Sequence, residues 1–151
     1  METLQNRIDF CGIISAERCN PNGDPLNGNI PRQTFDGHGI ISDVCLKRKI
    51  RDRLSEEGHD IFVKRQEDLQ EGQTSLHGLT KADPALQEAL KSKNEKLYKK
   101  IACERWIDVR AFGQVFAFKE KERTGVSISV RGPVSIQDAV SLSYVDVIQK
   151  G

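Results

Sequence analysis

Aromatic side chains are scarce. One Trp, two Tyr and six Phe make up 6% of 151 residues, too few for an extended base-stacking platform. Neither charge predominates: 23 Lys and Arg face 22 Asp and Glu, and the formal net charge of +1 excludes a uniformly basic nucleic-acid coat. No apolar run approaches the roughly 20 residues a membrane helix needs. Met1 to Arg7 is polar, so no signal peptide is expected. Cys11, Cys19, Cys45 and Cys103 form no CxxC pair and no regular disulfide framework. Cys19, His38 and Cys45 match no known zinc-ligand spacing. These absences together point to reduced thiols in a soluble cytoplasmic protein without cofactor or metal. Any polyanion binding must come from local clusters of cations.

The length fits a single domain over residues 1–151, with enough interior for a core. Ile8, Phe10, Ile13 and Ile14 read as a central strand from Ile8 to Ser15, partly covered on both faces. The long loop from Ala16 to Ile41, restricted by Pro21, Pro25 and Pro31, is expected to be ordered and functional. Ser42 is an N-cap, Asp43 suits the macrodipole, and Leu46, Ile50 and Leu54 make the buried stripe of a helix that ends at Gly58. His59 to Lys64 is read as a short strand, and Gln66 to Thr80 as polar and mobile. Asp83-Pro84 starts a helical stretch with Leu86, Leu90, Leu97 and Ile101 on one stripe, which Asn94 divides. The remainder reads as strands, with Trp106 to Phe112 leading into Val115 to Phe118. A turn over 119–125 and strands over 126–131 and 134–142 follow. This order is α+β. It matches the first part of a ferredoxin-like domain with a long β1–α1 loop and a helical insertion at about 59–103, incomplete at its C-terminus.

The chemistry concentrates between Asn20 and Arg51, where a loop rich in Gly, Asn and Pro runs into a basic helix. Lys47, Arg48, Lys49, Arg51 and Arg53 put five cations in seven residues, with Lys47 and Arg51 on one face at i,i+4. Gly28, Gly37 and Gly39 let the backbone approach a ligand, and the helix start offers N–H donors to phosphate. Read without that ligand, the same cations are a solvated outer face. Asp24 is read as a turn former; metal-assisted RNA cleavage there is the alternative. Arg110 to Phe118 is loosely similar to the RNA-recognition sheet motif through Phe112, Gly113, Val115 and Phe118, although Ala111 and Gln114 depart from it. The plainer reading puts these Phe residues in the core. Arg131-Gly132-Pro133 marks a strand break from which Arg131 could reach a phosphate.

Several motifs resemble, in order and spacing, one family. They are Asn20-Pro-Asn-Gly-Asp-Pro25, Gly28-Asn29, Pro31-Arg32, Gly37-His38-Gly39, Ser42 to Arg51, Asp108-Val-Arg-Ala-Phe-Gly113 and Val130-Arg-Gly-Pro-Val134. The family is the repeated backbone subunit of type I CRISPR surveillance complexes (Cascade), most similar to the I-C branch, and the resemblance covers about residues 5 to 148. It implies a modified RNA-recognition (RRM-like) fold and a non-catalytic subunit that polymerises along a CRISPR RNA, grips its phosphates and presents its bases for pairing with target DNA. Its partners would be copies of itself and the other Cascade subunits, with no membrane. The family's RNA contacts map onto Ser42, Lys47, Arg48 and Arg51, and more weakly onto Arg32 and Arg131. Backbone subunits of type III complexes cleave RNA with an aspartate in a comparable loop, which would be Asp24. Family members are longer, and the resemblance implies that a C-terminal part completes the sheet. A fragment limited to protein–protein contacts is the third reading.

Overall fold

The computed structural model describes residues 4–69, 76–118 and 127–148, and the chain divides into two compact units. One comprises Met1–Ile41 with Ala139–Gly151; the other is Ser42–Asp138. In chain order the described elements are β1 (Gly23–Asp24), β2 (Ile30–Pro31), β3 (His38–Ile41), α1 (Asp43–Glu56), α2 (Leu76–Lys81), α3 (Pro84–Lys91), α4 (Glu95–Arg105), α5 (Ile107–Phe112), β4 (Gly113–Ala117), β5 (Ser127–Arg131) and β6 (Ala139–Tyr144). A 3-10 turn covers Gln66–Asp68. The α+β class is as the sequence indicates. Among the described residues the strands pair as three antiparallel ribbons, β1–β2, β3–β6 and β4–β5, where a ferredoxin-like domain would have one sheet.

In the first unit, the expected strand from Ile8 to Ser15 does not form. Ile8, Phe10, Ile13 and Ile14 are exposed, Ile13 to 94%, and Cys11 and Cys19 are exposed as well. A strand apolar on both faces needs neighbouring strands and covering layers, and this segment has neither among the described residues. The loop that follows is ordered by its own polar groups. The Asp24 carbonyl accepts from Asn27 and Asn29, and the Asp24 carboxylate accepts from the Leu26 N–H, closing the β1–β2 turn. In the β3–β6 ribbon His38 faces Tyr144 and Ile40 faces Val140. His38 Nδ1 lies 2.8 Å from the Ser141 carbonyl, and its ring centroid lies 4.7 Å from that of Tyr144.

The core of the second unit gathers most of the few aromatics. Phe62, Tyr98, Trp106 and Phe116 are buried with Leu86, Ala89, Val109 and Ile128. Phe62 meets Trp106 at 4.7 Å and Phe116 edge-on at 5.1 Å, while Tyr98 meets Phe116 edge-on at 5.3 Å. Asp83 caps α3 through the Ala85 and Leu86 N–H groups, with Pro84 in the first helical turn; Asn94 caps α4, so the division at Asn94 is as read. Arg105 Nη1 approaches the second Asp83 oxygen to 2.7 Å, in an orientation outside hydrogen-bond geometry.

Four further readings are corrected. Trp106 to Phe112 is not a strand, because from Ile107 it is helix α5, which buries Val109 beside Asp108. His59 to Lys64 is irregular: Ile61 and Phe62 are buried, but the Phe62 and Val63 N–H groups bond a carboxylate instead of a strand. Leu76–Lys81, within the stretch read as mobile, is helix α2. The last strand begins at Ala139, not Val134, since the Val134 N–H is taken by the Ala111 carbonyl. Val126 and the turn over 119–125 lie outside the described residues.

Burial pushes the Tyr98 phenol up to about 12, with the nearby Asp83 charge acting in the same direction. The folded state therefore holds this proton more tightly than the unfolded chain, whose phenol titrates near 10. Its contribution is complete below about pH 10 and lost as pH rises towards 12. Urea midpoints taken across that window should fall more steeply for the parent than for Tyr98→Phe, which has no proton to lose.

Candidate nucleic-acid interface

Helix α1 starts as its sequence dictates, with the Ser42 hydroxyl accepting from the Cys45 N–H. It ends in a Schellman turn: Gly58 adopts φ 86°, the His59 N–H bonds Leu54 O and the Gly58 N–H bonds Ser55 O. The buried apolar stripe is a correction. No α1 residue is buried; Leu46 and Leu54 are half-buried and Ile50 is 37% exposed. The helix holds to its unit through its charged side chains.

Lys47 pairs with Asp43 at 2.9 Å and holds that carboxyl below its usual value. Arg48 pairs with Asp52 at 2.8 Å and donates to the Val63 carbonyl. Arg53 pairs with Glu56 and Glu57. Arg51 is only 13% exposed and donates through Nε to Asp108 Oδ2 at 3.0 Å. Asp108 is fully buried and also accepts from the Phe62 N–H at 2.8 Å and the Val63 N–H at 3.1 Å. A buried carboxylate with three donors is satisfied, so this is the anchor of α1. Asp108 was not singled out as functional from the sequence. The signal for it is an acid inside the otherwise apolar run Trp106 to Val109.

Lys47 and Arg51 share a face as expected, and that face lies over Phe112. The Lys47 Nζ is 6.0 Å and the Arg51 Cζ 5.2 Å from the ring centroid. The next residue, Gly113, pairs across the β4–β5 ribbon with exposed Arg131. The structure thus brings Lys47, Arg51 and the Arg131 backbone to one corner. Arg48 diverges from it into a polar cleft of about 490 Å³ shared with Asp52, Lys64 and Arg65, where Arg65 also bonds Asp52. Arg32 belongs to the other unit and lies 3.4 Å from Asp24 Oδ1. Phe116 is buried, in keeping with the core reading of the RNA-recognition-like motif. Among the described residues no group of three or more His, Cys, Asp or Glu is placed to hold a metal.

The family described as “CRISPR-associated protein Cas7” matches the chain over residues 6–151. The chain belongs to the Cas7 family. A “CRISPR-associated protein Cas7” of Haloferax volcanii is 32% identical over 161 residues, which cover 95% of this chain and 45% of the relative. The chain therefore spans about half the length of that Cas7 relative. No described helix is long and apolar enough to cross a membrane.

Proposed function

We propose that this Cas7 chain supplies the guide-gripping part of the non-catalytic backbone subunit of a type I, I-C-like Cascade complex in the cytoplasm. It would hold the CRISPR RNA phosphates without sequence preference, assemble with copies of itself and other subunits, and meet target DNA through the guide. The carrying observation is the corner where Lys47 and Arg51 lie over Phe112 beside the Gly113–Arg131 pair. In this reading Lys47 and Arg131 reach phosphates, Ser42 and Arg48 add contacts along α1, and Arg32 contributes from its own unit. Arg51 enters differently, because its ion pair with Asp108 makes it chiefly the residue that sets the helix in place. The engagement of the Asp24 carboxylate by Leu26 and Arg32 supports a turn role over cleavage.

The test is titration of single-stranded RNA of several sequences at a series of salt concentrations. Lys47→Gln with Arg131→Gln should weaken binding about equally for every sequence and lower the salt slope by about 0.7 per lost contact. An unchanged slope would overturn the assignment. No binding by the parent chain would favour the fragment that makes only protein contacts.

A further inference from the structure

A second local excess of positive charge, equal to the +4 of residues 47–53, lies outside α1. Residues 91–100 hold Lys91, Lys93, Lys96, Lys99 and Lys100 against Glu95 alone. That is +4 in a chain of +1, so the remaining residues sum to −3. In α1 acids neutralise most of the cations; at the α3–α4 corner they do not. Lys91, Lys93 and Lys96 are exposed and make no ion pair among the described residues, while Lys99–Glu95 and Lys100–Glu104 are loose contacts at 3.8 Å. Lys96 and Lys100 sit at i,i+4 on α4, away from buried Tyr98 and Ala102. Like charges at that spacing destabilise a helix.

The corner carries a second local conflict. Helix α3 ends in the same Schellman turn as α1, with the Asn94 N–H on Ala89 O and the Lys93 N–H on Leu90 O. The left-handed position is Gly58 in α1, but in α3 it is Lys93 at φ 54°. Glycine is the residue of lowest strain there, and lysine adds charge instead. Local choices that oppose stability are expected where a surface has work to do.

We infer that the α3–α4 corner is a second polyanion surface, which binds the phosphate backbone of a nucleic-acid duplex, distinct from the strand gripped at α1. Duplex fits better than single strand because nothing on this corner can stack a base. Tyr98, the aromatic of α4, is fully buried, whereas single-strand sites combine cations with exposed aromatics. Lysines are point charges that suit phosphates and carry no sequence information.

The experiment titrates the full chain with labelled duplexes of about 30 base pairs, one DNA and one RNA–DNA hybrid, across salt concentrations. Single-stranded RNA is measured in parallel. K91Q/K96Q/K100Q should weaken duplex binding about tenfold or more at low salt and lower the slope by about 0.9 per lost contact, while single-stranded RNA binding stays within about twofold. Whichever duplex binds more tightly identifies the source. K93G gives the sharper readout, because it should raise the melting temperature while weakening duplex binding by about twofold or more. Duplex binding by the triple variant equal to the parent overturns the inference. So does displacement of duplex by polyglutamate as readily as by unlabelled duplex, which would mark an acidic-protein site. If the parent binds duplex but not single-stranded RNA, the function proposed above fails and the corner stands; the reverse pattern keeps that function and removes the corner.

Discussion

Asp108→Ala should destabilise the second unit by about 3–5 kcal/mol, the usual range for removing one partner of a buried ion pair. The carboxylate is fully buried, and its loss strands three donors: Arg51 Nε and the Phe62 and Val63 N–H groups. Against a typical domain stability of about 5–15 kcal/mol, that is enough to bring the chain near its unfolding threshold. Asp108→Asn keeps one acceptor oxygen and loses the charge, so it should fall between alanine and the parent. Arg51→Ala should also destabilise, because it leaves a buried carboxylate with only backbone donors. Urea unfolding of these variants and of the double variant gives the coupling between the two residues directly. If Arg51 worked only on RNA, Arg51→Ala would leave the urea midpoint unchanged.

Gly132→Ala should be nearly as damaging. A Cβ on Gly132 would fall inside contact distance of the Ala111 carbonyl oxygen, the Phe112 carbonyl carbon and the Gly113 nitrogen, all backbone atoms that cannot swing aside. Gly113 faces the same crossing from the other side. Its own Cβ would meet Val130 O at 2.6 Å and Gly132 N at 2.7 Å, and its φ of 80° with ψ of 166° suits glycine alone. Overpacking of this kind costs about 1–3 kcal/mol, and more where backbone must move. Because the crossing sets the corner beneath Lys47 and Arg51, Gly132→Ala should lower RNA affinity as well as the urea midpoint. A variant with parental stability would show that the β4–β5 ribbon can shift to make room.

Helices were legible wherever local chemistry decides them. The Ser42 cap, the Gly58 stop, the Asp83-Pro84 start and the break at Asn94 all follow from side chains acting within a few residues. Strands were harder, because a strand depends on its neighbour. Ile8 to Ser15 has the composition of a core strand but no pairing partner among the described residues, and Trp106 to Phe112 has mixed periodicity that tertiary packing resolves as helix. Within the site, the shared face of Lys47 and Arg51 followed from helical spacing. The division of labour between them did not, since it depends on Asp108, 57 residues away from Arg51. The lysines at the α3–α4 corner drew no functional reading from the sequence, because only coordinates show that Lys91, Lys93 and Lys96 have no ion-pair partner among the described residues.

The Asp108 contacts also bear on how long the folded state lasts. They join the carboxylate to residues 45, 46 and 57 positions away, so they form only after long stretches of chain have closed. Helices α3 and α4 and the β4–β5 ribbon can each form by shorter-range contacts. An interaction made after the folding barrier acts on the unfolding rate and leaves the folding rate almost untouched. The carboxylate that fixes α1 should thus act as a kinetic lock on the native state, and Asp108→Asn should speed unfolding while leaving the folding rate almost unchanged.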